Sequence, residues 1–207
     1  MLVESEPCSG IADSIGEVEE RGFRCGLQVR AGRHPDFEQE AAELGLTARF
    51  PLPGMAVSPE ELTDERAPEL EIVRVDDEEG LADAARVAAA GNGVPLDLIR
   101  ALYAPGLLQL DGFAVYLGRA DSVTVTTAMR YLTNNDVGIF NVATPPAHRR
   151  RGYGSAITAH AARAGFENGA DLAWLQTSEI GESVYRGLGF RHVELHFLLA
   201  RPSPQRS

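Results

Sequence analysis

Apolar positions along the chain switch between helical and strand periods, and each switch marks an element. Ile11, Ile15 and Val18 recur at helical spacing, and Gly22 stands where that helix would end. Phe23 to Arg30 reads as a strand, residues 36 to 44 as a short helix closed by Gly45, and Thr47 to Val57 as a strand. Pro51, Pro53 and Gly54 split that strand or push it to a sheet edge. The first ten residues show no period and read as disordered. Residues 58 to 69 (S-P-E-E-L-T-D-E-R-A-P-E) are polar and acidic with prolines near both ends, and read as a linker.

After the linker the pattern becomes regular. Leu70 to Val75 alternates as a strand, and Asp76 to Glu79 place negative charge at the start of an alanine-rich helix running to Gly91. A second helix is predicted near Pro95 to Tyr103. Phe113 to Leu117 and Val123 to Leu132 form an antiparallel meander, and Val137 to Val142 is a buried strand. Leu172 to Thr177 is another strand, Glu182 to Leu188 a helix, and His192 to Ala200 the last strand. The fold class is therefore mixed α/β, with a sheet flanked by helices.

The stretch that carries chemistry follows Val142. Pro145 and Pro146 stop the strand, a basic loop R-R-R-G-Y-G spans Arg149 to Gly154, and a helix begins near Ser155. A loop at a helix N-terminus presents amides without intrahelical partners and the positive end of the helix dipole, which suits an anion. Gly152 and Gly154 let that anion approach the backbone, and Arg149, Arg150 and Arg151 add charge. A nucleotide P-loop is excluded because it needs G-K-[ST] and the chain has no lysine. A dinucleotide fingerprint fails at Ile157, where its third glycine belongs.

V-A-T-P-P-A-H-R-R-R-G-Y-G resembles the acyl-CoA motif of the GNAT acetyltransferase superfamily, with Arg149, Gly152 and Gly154 on its consensus positions. S-E-I-G-E-S-V-Y-R-G-L-G-F resembles that family's second motif through Tyr185, Gly189 and Phe190; Ser178 replaces its usual Asn. The resemblance covers about residues 70 to 200. It implies a splayed mixed β-sheet, with acetyl-CoA as co-substrate lying between the strands that end at Ala143 and Thr177. It also implies an amine acceptor acetylated by direct attack. Val142, Ala143, Thr144, Arg149, Arg150, Arg151, Gly152, Tyr153, Gly154, Ser155 and Ser178 are the implied CoA contacts. For Ser155, helix capping stands as an equal reading. Tyr185 is the implied acid for the departing thiolate.

The general base stays open. Where the protein-lysine branch of the family carries a Glu, this chain has Gly138. Asp136 shares that strand face, and Glu179 lies at the end of the following strand. A non-catalytic acyl-CoA-binding module of the same fold is the alternative.

Composition narrows the partners. Of 207 residues, 44% are hydrophobic and 24% charged, and the net charge is -11. The acidic excess lies in the first 80 residues, so the half with the anion loop is locally basic without the broad basic face of a nucleic-acid binder. The acidic part suits a cationic small-molecule or peptide amine. No apolar run reaches a membrane span and the N-terminus lacks leader features, so a cytoplasmic protein without membrane partner is expected, with a homodimer as one assembly. Cys8, Cys25 and the histidines lack metal spacing, so no metal is expected. Three divisions follow: an N-terminal αβ segment (1–57), the linker (58–69) and the GNAT domain (70–207). L-Q-V-R…L-G-L in the first echoes L-Q-T-S…L-G-F in the last, as a decayed partial repeat or by chance.

Overall fold

The computed structural model describes residues 10–20, 22, 25–63, 67 and 69–202, without the side chains of residues 179 and 180. Expectations for Cys8, the first nine residues and the start of the predicted strand at Phe23 lie outside them. The chain divides into two compact units.

The larger unit comprises Met55–Gln176 and Gly181–Arg191. Its strands β3 (Glu71–Arg74), β4 (Phe113–Ala120), β5 (Val123–Thr133), β6 (Asp136–Ala143) and β7 (Leu172–Gln176) lie in the order β7-β6-β5-β4-β3. β3 to β6 pair antiparallel, and β6 pairs parallel to β7, so the sheet is mixed. Helix α3 (Glu78–Asn92) and the shorter α4 (Leu96–Arg100) cover one face. Leu81, Ala84, Ala85 and Ala88 meet Val115, Leu117 and Met129 there. Helix α5 (Tyr153–Phe166) covers the other, where Ile157, Ala161 and Ala162 meet Val137, Ile139 and Ala173. Burying a side chain such as Ile157 stabilises by about 1.5–3 kcal/mol.

Local signals set the helix ends. The Asp77 carboxylate caps α3 by accepting from the Gly80 amide at 2.7 Å, an interaction worth about 1 kcal/mol. Gly93, in the left-handed region at φ 66, ends it. α6 (Glu179–Gly187) ends at Gly189, whose φ is 94 and where a Cβ would fall 2.2 Å from the Glu61 carbonyl oxygen. The described part of the expected linker is thus packed chain. Thr63 donates from its amide to the Leu188 carbonyl (3.1 Å) and from its hydroxyl to that of Gly187 (2.9 Å).

The smaller unit gathers the described residues of Met1–Gly54, Thr177–Ile180 and His192–Ser207. α1 (Ile11–Glu20) and α2 (Pro35–Glu43) bury Ile11, Ile15, Phe37 and Ala41 against Leu27 and Val29 of β1 (Gly26–Arg30) and Leu199 of β8 (Arg191–Ala200). β1 pairs antiparallel with β8, from Gly26 opposite Ala200 to Arg30 opposite His196. The last strand, assigned from the sequence to the GNAT domain, therefore groups with the N-terminal segment, because pairing between distant strands leaves no local periodicity. β2 (Ala48–Val57) runs unbroken through Pro51 and Pro53. Arg201 donates to both Glu19 carboxylate oxygens, at 2.6 and 2.9 Å, and that bond holds Glu19 below its ordinary pKa.

Candidate acyl-CoA site

The site grows from a change in the middle of β6. From Asp136 to Ile139 this strand pairs on both sides, with β5 and with Leu172 to Leu175 of β7. The ladder to β7 stops at Ile139 opposite Leu175, so Phe140 to Ala143 have no partner in its register. The opposite ladder changes too: Met129 faces Phe140 and Thr127 faces Ala143, which skips Asn141 and Val142. Asn141 lies in the left-handed region at φ 48, a conformation found in one class of bulge. This is the opening between strands implied by the sequence.

The C-terminal turn of α3 holds the bulge in place. The Asn92 amide donates to the Asn141 side-chain oxygen, and the Asn141 amide donates to the Tyr103 hydroxyl, each at 3.0 Å. At Gly91 a Cβ would fall 2.9 Å from the Ala143 Cβ and 3.0 Å from the Thr144 amide nitrogen, so only glycine lets helix and strand end come this close. The Arg149 guanidinium donates to the Gly91 carbonyl at 2.7 Å and to the Thr144 carbonyl at 3.0 Å. Arg149, expected as a phosphate contact, is thus engaged in bracing the loop onto α3.

Beyond it the loop opens onto α5. Pro146–His148 forms one 3₁₀ turn, and Arg150 (φ 62) and Gly152 (φ 78) adopt left-handed conformations of the kind found in anion-binding backbone nests. Gly152 is the N-cap of α5 and offers no side-chain cap; the first helical bond runs from the Ala156 amide to its carbonyl. The amides of Tyr153, Gly154 and Ser155 therefore lack intrahelical acceptors. A Cβ at Gly154 would meet only the Thr144 hydroxyl at 3.6 Å, and one at Gly152 would meet nothing within 4 Å, so a bulky anion has room. Arg150 and Arg151 are exposed beside it. These residues fit a pyrophosphate.

Two expected CoA contacts, Tyr153 and Thr144, have other partners. The Tyr153 ring is 3% exposed and packs with Ala120 and Val125, which leaves its amide as the group at the helix start. The Thr126 hydroxyl donates to the Ala143 carbonyl at 3.0 Å and so accepts, at 2.9 Å, the Thr144 hydroxyl proton. Ser178 is exposed and belongs to the smaller unit, as does Glu179, whose side chain lies outside the described residues.

Tyr185 and Val142 pack on the same core cluster, which includes Ile157, Leu175 and Phe190; Tyr185 meets the Phe190 ring edge-on at 6.1 Å. Burial raises the Tyr185 hydroxyl to about 12, so it stays protonated at neutral pH. Asp136 is exposed at the turn end of β6, ~20 Å from Val142 along an extended strand, and the structure does not bring it to the loop. Gly138 is buried, and a Cβ there would fall 2.6 Å from the Phe140 ring and 2.9 Å from Trp174. Two rings therefore fill the position where a strand carboxylate was sought. Among the described residues no group of three or more His, Cys, Asp or Glu forms a metal site, and no helix is long and apolar enough to cross a membrane.

Sequence reasoning missed Asn141, Thr126 and the Phe140–Trp174 pair. An Asn inside an apolar strand, a residue type tolerant of left-handed φ, was the available signal for the bulge.

Residues 133–193 match a family model described as an acetyltransferase (GNAT) domain. Among solved structures, the chain resembles a GCN5-related N-acetyltransferase from Kribbella flavida with TM-score 0.69 and 24% identity, over 93% of this chain and 74% of that one. It resembles one from Sphaerobacter thermophilus with TM-score 0.67 and 12% identity, over 95% and 68%. A third neighbour is AAC(6')-Iy bound to the bisubstrate analogue CoA-S-monomethyl-acetylneamine, with TM-score 0.52 and 22% identity over 67% and 97%. Among curated proteins, none matches the chain in sequence. Motif, domain match and fold agree: residues 133–193 match a GNAT acetyltransferase domain, and the chain has the fold of the GNAT structures it resembles.

Proposed function

We propose that the chain is an N-acetyltransferase that takes acetyl-CoA and acetylates an amine by direct attack. The observation that carries this reading is the half-open strand β6, with its bulge at Asn141, leading straight into the uncapped start of α5. The amides from Gly152 to Ser155, with Arg150 and Arg151 beside them, would hold the pyrophosphate. The free edge from Phe140 to Ala143 would pair with the pantetheine arm. Bound acetyl-CoA supplies the acyl group as an activated thioester.

The chain's own groups then divide the work. A main-chain amide at the bulge, Asn141 or Val142, is the donor for the developing oxyanion, rigid because α3 fixes the Asn141 side chain. The Tyr185 hydroxyl, protonated well past neutral pH, gives its proton to the departing sulfur. Glu179, directly or through water, takes the amine proton. The acceptor is a small-molecule or peptide amine, and the protein acts in the cytoplasm, as a monomer or a homodimer. The neighbour AAC(6')-Iy, an aminoglycoside N-acetyltransferase, raises aminoglycosides as one acceptor class.

The two rings over Gly138 favour one competing reading, a module that binds acyl-CoA without a base on the strand. Acetyl-CoA consumption across an amine panel, with CoA affinity measured by calorimetry, separates the two. The enzyme reading expects turnover that falls by about 10²–10⁴ in Tyr185→Phe at nearly unchanged CoA affinity. CoA binding without turnover of any amine establishes the module instead.

A further inference from the structure

A row of side chains crosses the larger unit beside the bulge, on the α3 side of the sheet. Phe113 of β4 pairs with Tyr131 of β5, Tyr131 with Gly138 of β6, and Gly138 with Trp174 of β7. Directly paired residues share a face, so one glycine lies within a line of three aromatics. Phe140, two residues on from Gly138, folds its ring over the glycine and meets Trp174 edge-on, with centroids 5.2 Å apart and planes at 90°. Phe113 and Tyr131 stack at a tilt, 6.2 Å apart. The row is not core: Tyr131 is 41% and Phe140 38% exposed, whereas Val137 and Ile139, alternating on the α5 side, are at most 2% exposed.

The row also ends where the chemistry begins. Val142 lies two residues past Phe140, about 7 Å along the strand. The Tyr103–Asn141 hydrogen bond brings the turn Ala101–Tyr103 against the same bulge, and its Leu102 is 55% exposed. Between Asp136 and the strand end this face of β6 offers Gly138 and Phe140, so it presents aromatic surface rather than carboxylates. Several carboxylates would be needed to hold a polycation; flat rings suit another ring and a single ammonium group beside it.

We propose that this row is the acceptor platform: the acceptor is a monoamine with an aromatic ring on a short alkyl tether, its ring on Phe140 and Trp174 and its nitrogen at the Val142 end of β6. This rests on the acetyltransferase reading but is read separately, because Trp174 is the only tryptophan in the chain and reports the platform directly. With the full chain saturated in CoA, 2-phenylethylamine is titrated against Trp174 emission, and spermidine in a parallel arm. The expected result is a saturable change with 2-phenylethylamine and none with spermidine. Phe140→Leu should weaken it about five- to tenfold, and Tyr131→Thr, on the neighbouring strand, should weaken it if the first variant folds poorly. Where turnover is measurable, kcat/KM should favour 2-phenylethylamine over spermidine, with the variants acting on KM more than on kcat. Saturation without turnover sinks the enzyme reading and keeps the platform. The proposal fails if spermidine gives the same change, if neither amine does, or if emission follows protein concentration alone, which would mean that a second copy covers the row.

Discussion

The two halves of β6 share one strand and differ in almost everything else. From Val137 to Ile139 every residue is buried, both edges are paired, and α5 packs so closely that a Cβ on Gly165 would fall 2.5 Å from the Val137 Cγ1. From Phe140 to Ala143 the β7 edge is unpaired, the β5 register skips two residues, one residue is left-handed, and a ring faces solvent. The first half is made by packing and the second by withholding a partner from it. A sheet can thus keep its stability in one half of a strand and its binding edge in the other. What keeps the second half from collapsing is α3, through Asn92 and the loop-bracing Arg149.

The sharpest way to break the contrast is Gly165→Ala. The added methyl meets the β-branched carbons of Val137, which cannot swing aside, so unfolding free energy should drop by about 3 kcal/mol, near the top of the range for overpacking. Urea denaturation reads it, and Val137→Ala in the same chain should restore much of the loss. CoA affinity of the folded fraction should stay the same. A loss under about 0.5 kcal/mol would mean that the helix is not seated on the paired half as described.

Asn141→Ala attacks the other half. It removes two side-chain hydrogen bonds, each worth about 0.5–1.5 kcal/mol, and puts a Cβ residue without local polar support at positive φ. About 2 kcal/mol of stability should go, together with turnover. Asn141→Gly relieves the backbone but not the lost bonds, so it should recover some stability while acetyl transfer remains impaired. Equal activity in all three proteins would show that the bulge has no part in chemistry. Smaller still is Arg149→Ala. Its two bonds go to main-chain carbonyls at the surface, so stability should fall by about 1 kcal/mol. CoA affinity, measured by calorimetry, should fall because the loop loosens. Arg149→Lys should not rescue it, since one ammonium cannot reproduce the guanidinium fork.

The unequal halves also explain what could be read in advance. Pro145, Pro146, Gly152 and Gly154 are punctuation with local meaning, so the loop and the start of α5 were legible, as were Asp77 capping α3 and Gly189 ending α6. The bulge was not, because one extra residue leaves an apolar run looking apolar. Gly138 read as a missing carboxylate; its real constraint is two rings contributed from Phe140 and Trp174, visible only once β6 and β7 are paired. The charge of Arg149 pointed to a phosphate, while its contacts lie with carbonyls from an element far away in the chain. The same holds for β8, whose pairing with β1 joins opposite ends of the sequence.

The smallest effect concerns Tyr185, which packs on the cluster beneath the open half. Burial raises its folded-state pKa to about 12, against about 10 for an unfolded tyrosine. A group whose folded pKa is raised contributes stability that is fully present below the unfolded value and lost as pH climbs through the folded one. Wild type and Tyr185→Phe should therefore keep a constant difference in unfolding free energy from pH 7 to about 10, and wild type should lose ground between about 10 and 12. The rate profile follows the same logic: acetyl transfer should rise as the amine deprotonates and show no descending limb below pH 10 from loss of the tyrosine proton. A descending limb centred near pH 10 that disappears in Tyr185→Phe would place that hydroxyl in water rather than against the core. The open half of β6 would then lack the dry floor that sets it apart from a frayed strand end.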